Sequence, residues 1–259
     1  MINANGKQFA NMQQVHAWAL ESGPDKLIID VIGPQQVMPM TWRYNAPAGI
    51  EIRGLNGGSW HCRTTGWLFA YRPAVDKQQS PLSFESMEFS GSGRGGINLG
   101  PVFEGDYNAG GETAWLDNVG FVSCKFYDIG SQSCDSAMVG FAAIYAQGVR
   151  SLMIDGCTFK NIVNKPCKQR HESLIHAAYC VDNTHAMINN CVFRHVSGDP
   201  IRVRDGAYAK VTNCWSIRSG QRAMASSWRQ PKEKPGTAEF KNNVVAHGFQ
   251  GQRIKEWAA

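Results

Sequence analysis

Five short segments of this chain repeat one pattern, and that repetition limits the fold more than any other feature. They are Phe121-Val-Ser-Cys-Lys-Phe126, Ile154-Asp-Gly-Cys-Thr-Phe159, Ile188-Asn-Asn-Cys-Val-Phe193, Val211-Thr-Asn-Cys-Trp-Ser216 and Phe240-Lys-Asn-Asn-Val-Val245. Each reads apolar, any, small or Asn, Cys or Asn, any, apolar. Phe84-Glu-Ser-Met-Glu-Phe89 is a weaker copy. The fourth positions, Met87, Cys124, Cys157, Cys191, Cys214 and Asn243, follow one another at 37, 33, 34, 23 and 29 residues. Spacings this irregular argue against a propeller, whose blades are regular, and a sandwich has no need of the same small inward residue once per turn. A β-solenoid does need it. Its coils stack about 4.8 Å apart, so like packs on like, while loops of any length leave the coils.

The alignment extends upstream without gaps. Ala142-Ala-Ile-Tyr-Ala-Gln147 leads to Cys157, His176-Ala-Ala-Tyr-Cys-Val181 to Cys191, and Asp199-Pro-Ile-Arg-Val-Arg204 to Cys214. Strand alternation then sorts the faces. Ile144, Ala146, Ala178, Cys180, Ile201 and Val203 are expected inside; Tyr145, Gln147, Tyr179, Val181, Arg202 and Arg204 are expected outside. An earlier coil places Ile97 and Leu99 inside and Asn98 outside.

Residues 8–22 read as a short amphipathic helix, 26–32 as a buried strand and 50–54 (Ile-Glu-Ile-Arg-Gly) as another. A solenoid must cap its open core, and a helix is a usual device. With these elements in place, the chain resembles the pectate-lyase-like superfamily over nearly its whole length. The resemblance implies an all-β fold: a single right-handed parallel β-helix domain over 1–259, with an N-terminal capping helix at 8–22 and coils over about 26–250. Fold alone does not give function.

Composition narrows the remaining choices. A hydrophobic fraction of 43% with 18% charged residues excludes a disordered chain. No apolar run reaches the eighteen residues of a membrane span, so no membrane association is expected. The opening MINANGKQF lacks the basic and apolar regions of a signal peptide, which is either absent or removed before this numbering begins. A net charge of +5 favours anionic partners. The densest basic stretch, Lys165-Pro-Cys-Lys-Gln-Arg-His171, is too short for a nucleic-acid arm, and no nucleic-acid partner is expected.

Of the eight cysteines, Cys124, Cys157, Cys191 and Cys214 are expected as small, buried free thiols of the ladder, with Cys180 also inside. Cys134 and Cys167 each lie ten residues after a ladder cysteine, at equivalent loop positions of adjacent coils, and are expected to form a disulfide. That bond implies an oxidising, extracellular compartment. No Cys-x-x-Cys pair exists, so no zinc site is expected.

The candidate site is the outward row of one sheet. It carries Asn98, Tyr145, Tyr179, Arg202 and a residue within 224–228, with Arg204 one pleat over. Asp182 and Asp205 stack at the strand end, His176 and Asp199 at its start. Two loops are expected to wall this face: 164–173, with Lys168 and Arg170, and 226–236, with Trp228 and Arg229. Aromatic faces pack on sugar rings and guanidinium forks match carboxylates, so the face suits an acidic polysaccharide. The plainer alternatives are a tyrosine stack that stabilises the sheet and an ion-pair cluster of the two arginines with Asp199 and Asp205.

Two chemistries suit a uronate-containing polysaccharide. A lyase abstracts the proton beside the carboxylate and eliminates the 4-linked sugar. Arg202, Arg204 and Lys168 are its candidate base and carboxylate-neutralising groups, and Tyr179 or His176 its proton donor, with a Lys, His or Tyr base equally open. Tyr145, Asp199, Asp205, Asp182, Arg170 and Trp228 are candidate substrate contacts. A hydrolase needs two carboxylic acids, for which Asp182, Asp199 and Asp205 are candidates. The resemblance implies calcium as a candidate cofactor, held by Asp182 and Asp205 with substrate or water. The chain lacks Asn-Thr-Asp and Gly-His-Gly of β-helix polygalacturonases, Asp-Pro-His-Asp of alginate epimerases and the Trp-Asp-His segment of classical pectate lyases. These absences leave a divergent lyase as the first expectation. The rival is a non-catalytic glycan-binding or tailspike-like β-helix; a tailspike would be a trimer, whereas a monomer is expected here.

Overall fold

The computed structural model describes residues 1–72, 81–100, 116–168, 171–227 and 235–258. Its strands form an all-β parallel β-helix with three strands per coil. The first sheet stacks Leu82–Glu85, Leu116–Val122, Val149–Asp155, His185–Asn189, Tyr208–Thr212 and Thr237–Lys241 in parallel register. The second stacks Glu88–Ser92, Lys125–Ile129, Thr158–Ile162, Val192–Val196, Trp215–Ile217 and Val244–Val245. The third runs from Met40–Trp42 through Trp67–Tyr71, Gly95–Leu99, Ala142–Gln147, His176–Val181, Ile201–Val203 and Ala223–Ser227 to Lys255–Ala258. The strand Ile50–Thr64 is long enough to serve both the first and second sheets. A side chain at Gly54, where it bends, would lie 2.3 Å from the Ser86 carbonyl oxygen, so the close approach requires glycine.

The repeat pattern has two physical causes. The fourth position faces the core: Met87, Cys124, Cys157, Cys191 and Cys214 are fully buried, and the ladder thiols donate to backbone carbonyls of their own and adjacent coils. The third position is the corner between the first and second sheets. Ser86, Ser123, Gly156, Asn190, Asn213 and Asn242 all sit there in the left-handed region, with φ from 51° to 62°. Asn and Gly tolerate that conformation best, which is why the pattern asks for a small residue or Asn. In the last coil Asn243 replaces the thiol. It accepts from the Cys214 amide and donates to the Val211 carbonyl.

Like packs on like through the core. Phe89, Phe126, Phe159 and Phe193 stack at ring separations of 4.8, 5.0 and 5.3 Å, and Phe84 lies parallel to Phe121 at 4.9 Å.

The N-terminal end is closed by a helix shorter than expected. Met12–Ser22 is helical and buries Met12, Val15 and Ala19. Residues 8–11 are not part of it, because Lys7–Phe9 pairs antiparallel with Ile2–Ala4 and Asn11 caps the helix by accepting from the Gln14 amide. Gly23 ends it in the left-handed conformation.

Cys134 and Cys167 are disulfide-bonded, with Cα atoms 5.8 Å apart, and the other six cysteines are free and buried. The bond joins the connections that lead into Ala142–Gln147 and His176–Val181. Thiol titration of the unfolded, unreduced chain is expected to find six groups, and eight after reduction; eight before reduction would contradict the pairing.

Candidate functional site

Strand register puts Asn98, Tyr145, Tyr179, Arg202 and Ser226 in one row across the third sheet. Ser226 is the residue expected within 224–228. Upstream the row continues to Ala70 and Thr41. The inward partners Ile144, Ala146, Ala178, Cys180, Ile201 and Val203 are all fully buried, as alternation requires.

Alternation breaks at one place, and the break builds the site. The amides of Ala177 and Ala178 both donate to the Pro200 carbonyl, at 2.8 and 3.0 Å. Ala143 and Ala177 join the main core beside Ile144 and Ala178, so two successive residues face inward in each coil, as at a β-bulge. Ala142 therefore turns outward and packs with Tyr179 and Val181. His176 turns with it and sets its ring 5.2 Å from that of Tyr179, edge to face. Strict alternation would put residues 176 and 179 on opposite faces.

The row is less exposed than expected. Tyr179, Val181 and Gln147 are buried, Tyr179 at 9% exposure. Tyr145 meets Tyr179 edge to face at 5.4 Å, so the tyrosine pair does stabilise the sheet. Half-buried Arg202 donates to Ser226 Oγ at 2.8 Å, its one hydrogen bond among the described residues. Burial lowers its pKa, aided by Arg222 and Arg204 and opposed by Tyr179 and Asp199. Arg204 donates to Tyr179 Oη at 3.3 Å and pairs with Asp205 Oδ2 at 2.7 Å. Burial opposes its charge, but these two partners outweigh it and raise its pKa.

His176 is 4% exposed, and its Nδ1 lies 2.6 Å from the Asp199 carbonyl oxygen. A carbonyl only accepts, so Nδ1 carries the hydrogen and Nε2 the lone pair. Burial, with the Arg202 charge adding to it, lowers the His176 pKa to about 4 against the pull of Asp199. The ring is neutral at pH 7.

Asp199 departs from its expected role as a substrate contact. Its Oδ1 accepts from the amides of Gln221, Arg222 and Ala223 at 2.9, 2.8 and 3.1 Å, and its carboxylate is 5% exposed. Burial alone would raise its pKa, but these amides, Ser226 and His176 bring it below the usual carboxylate value. Asp199 thus holds the turn that enters Ala223–Ser227. Asp199→Asn keeps the shape but loses the charge. It is expected to cost about 1–2 kcal/mol by denaturant unfolding.

Asp182 and Asp205 do stack, both in left-handed turn positions with φ of 56° and 55°. Burial raises the Asp182 pKa against the neighbouring Gln147 amide. The pair does not suit calcium, because the Arg204 guanidinium already occupies Asp205 Oδ2. Lys168 is exposed in the turn after Cys167, and no hydrogen bond or ion pair among the described residues joins it to the row. Arg170, Trp228 and Arg229 lie outside the described residues.

The sequence reading missed three residues of this face. Trp67 is in register with Gly95 and, through it, with Ala142, and its ring is 5.9 Å from that of Tyr145. Arg72 is tied to the carbonyls of Tyr71, Asn98 and Gly100. Arg222 is half exposed beside Asp199, at 3.7 Å. The Asp-Pro-Ile-Arg motif and its gapless alignment end before Arg222 and begin after Trp67, so neither carried a signal. One short polygalacturonase-type tripeptide, Arg253-Ile254-Lys255, is present at the C-terminal end; it stands alone, Arg253 being bridged to His247 and Lys255 opening the last strand.

The fold and the face together define a parallel β-helix with an aromatic and cationic outer surface. A scan against protein-family models, a search of the curated proteins and a search of the solved structures each found no match.

Proposed function

We propose that the outer face of the third sheet binds a uronate-containing polysaccharide and cleaves it by β-elimination. The observation that carries this is Arg202: a half-buried guanidinium with one hydrogen bond among the described residues, beside Tyr179 and a neutral imidazole. Its remaining donors suit a carboxylate, and neutralising that carboxylate acidifies the adjacent C5–H. The His176 Nε2 lone pair takes that proton. The C5 electron pair forms the C4–C5 double bond, the C4–O4 bond breaks, and Tyr179 gives its hydroxyl proton to the leaving oxygen. His176 serves as base rather than proton donor, because its one hydrogen is committed to Asp199.

Hydrolysis is supported less well. Of the three carboxylates, Asp199 is consumed by backbone amides and Asp205 by Arg204, which leaves Asp182 without a second acid. The resemblance to pectate-lyase-like proteins fits the same reading, and the disulfide fits secretion. The test is a panel of acidic polysaccharides, followed by ultraviolet absorbance of unsaturated uronate and by new reducing ends. Both signals should rise. Reducing ends without absorbance would mean a hydrolase. Retention on the glycan with neither signal would mean a binding module, a reading favoured by the burial of His176 and Tyr179.

A further inference from the structure

Arg202 sits near a carboxylate without pairing with it. The Asp199 charge acts on the guanidinium, yet the hydrogen bond of Arg202 among the described residues goes to Ser226 Oγ, at 2.8 Å. Asp199 makes its own contacts elsewhere. Its Oδ1 takes three backbone amides, and Arg222 Nε lies 3.7 Å from its Oδ2.

Ser226 accounts for the separation. Strand register sets it beside Arg202 in the next coil, and it is fully buried. A hydroxyl has two lone pairs and one hydrogen. A lone pair accepts from Arg202 Nη1, which leaves the hydrogen for an acceptor. The Asp199 carboxylate is that acceptor, and this bond is among the causes of its lowered pKa. Arginine and carboxylate pair strongly and often bidentately. Without the hydroxyl, the fork would close on Asp199 and its charge would be neutralised within the protein.

We infer that Ser226 is a positioning residue, whose hydroxyl stands between Arg202 and Asp199, fixes the guanidinium and keeps its charge for a carboxylate ligand. This rests on the reading of the same face as a uronate site. Ser226 acts through Arg202 and needs no contact with the substrate. Asp199 thereby gains a second part: its backbone carbonyl sets His176, and its carboxylate sets Arg202 through Ser226. The base and the cation of the proposed elimination share one support.

The test is a double-mutant cycle between Ser226 and Arg202. It is read as kcat and KM on whichever of polygalacturonate, alginate and hyaluronan the wild type cleaves fastest. Ser226→Ala should lower kcat about tenfold and leave KM within about twofold. Ser226→Thr restores a hydroxyl and should recover most of the loss. In an Arg202→Gln background, Ser226→Ala should cost nothing further, because its effect passes through the guanidinium. Equal losses in both backgrounds, or an unchanged kcat, would overturn the role. A ligand-free readout separates this role from the uronate reading. The Arg202 Nε–Hε resonance, assigned by its loss in Arg202→Gln, should shift or broaden in Ser226→Ala and return in Ser226→Thr, while backbone amide signals remote from the site report that each variant is folded. If the wild type cleaves none of the three polysaccharides, the elimination reading fails and this resonance decides the positioning role alone. An Arg202 signal identical in wild type and Ser226→Ala would overturn it.

Discussion

Lowering the pH from 7 to 4 is expected to remove about 3 kcal/mol of folding free energy through His176 alone. Burial holds this imidazole neutral, with its pKa lowered to about 4, whereas in the unfolded chain it titrates near its ordinary 6.5. Between those values the unfolded chain binds a proton that the folded chain refuses. The stability is therefore complete above about 6.5 and is lost as the pH falls toward 4. Other groups modify the slope. His16, also lowered by burial, acts in the same direction. Asp182, raised by burial, acts in the opposite one, since folded Asp182 takes up its proton first. Asp199 is lowered from the ordinary 3.8, so its contribution is lost only below this window. Denaturant unfolding at several pH values measures the effect. His176→Asn keeps a donor toward the Asp199 carbonyl and should flatten most of the slope between pH 6.5 and 4; superimposable profiles would contradict a buried neutral ring. The same titration sets an acid limb near pH 4 in kcat/KM for a His176 base.

Removing the two arginines together is expected to lower kcat/KM on a uronate polysaccharide by about a thousandfold, equivalent to about 4 kcal/mol of transition-state stabilisation. The two do not contribute alike. Arg202 has most of its donors left for a ligand, so Arg202→Gln should reduce kcat with little change in melting temperature. Arg204 is tied to Tyr179 and Asp205, so Arg204→Ala should also destabilise the fold by removing a charged partner of a largely buried carboxylate. Arg202→Lys keeps the charge without the planar fork and should recover only part of the loss. A rise in KM with kcat unchanged would assign Arg202 to ground-state binding alone.

The coils were readable because stacking forces repetition. A corner that needs φ above zero selects Ser, Gly or Asn every time, and the core beside it selects a thiol, so both marks recur in the chain. The Cys134–Cys167 bond followed from the same periodicity. What stayed hidden does not repeat. The bulge at Ala177 moves His176 to the outer face through a backbone irregularity that no side-chain pattern records. The role of Asp199 depends on three amides more than twenty residues away. Trp67 lies upstream of long insertions that erase the gapless alignment, and its place is set by Gly95, a residue whose importance is the absence of a side chain.

The most direct test of the site is affinity electrophoresis in gels containing an acidic polysaccharide that retards the wild-type chain. Arg202→Gln is compared with the double variant Lys160→Gln, Arg194→Gln, whose positions are neighbours on the outer face of the second sheet. The control removes two exposed positive charges and the site variant only one, so non-specific attraction predicts the larger loss in the control. If the outer face of the third sheet is the glycan site, Arg202→Gln should lose most of its retardation and the double variant should keep nearly all of it. The reverse order, or equal retention by both, would contradict the assignment.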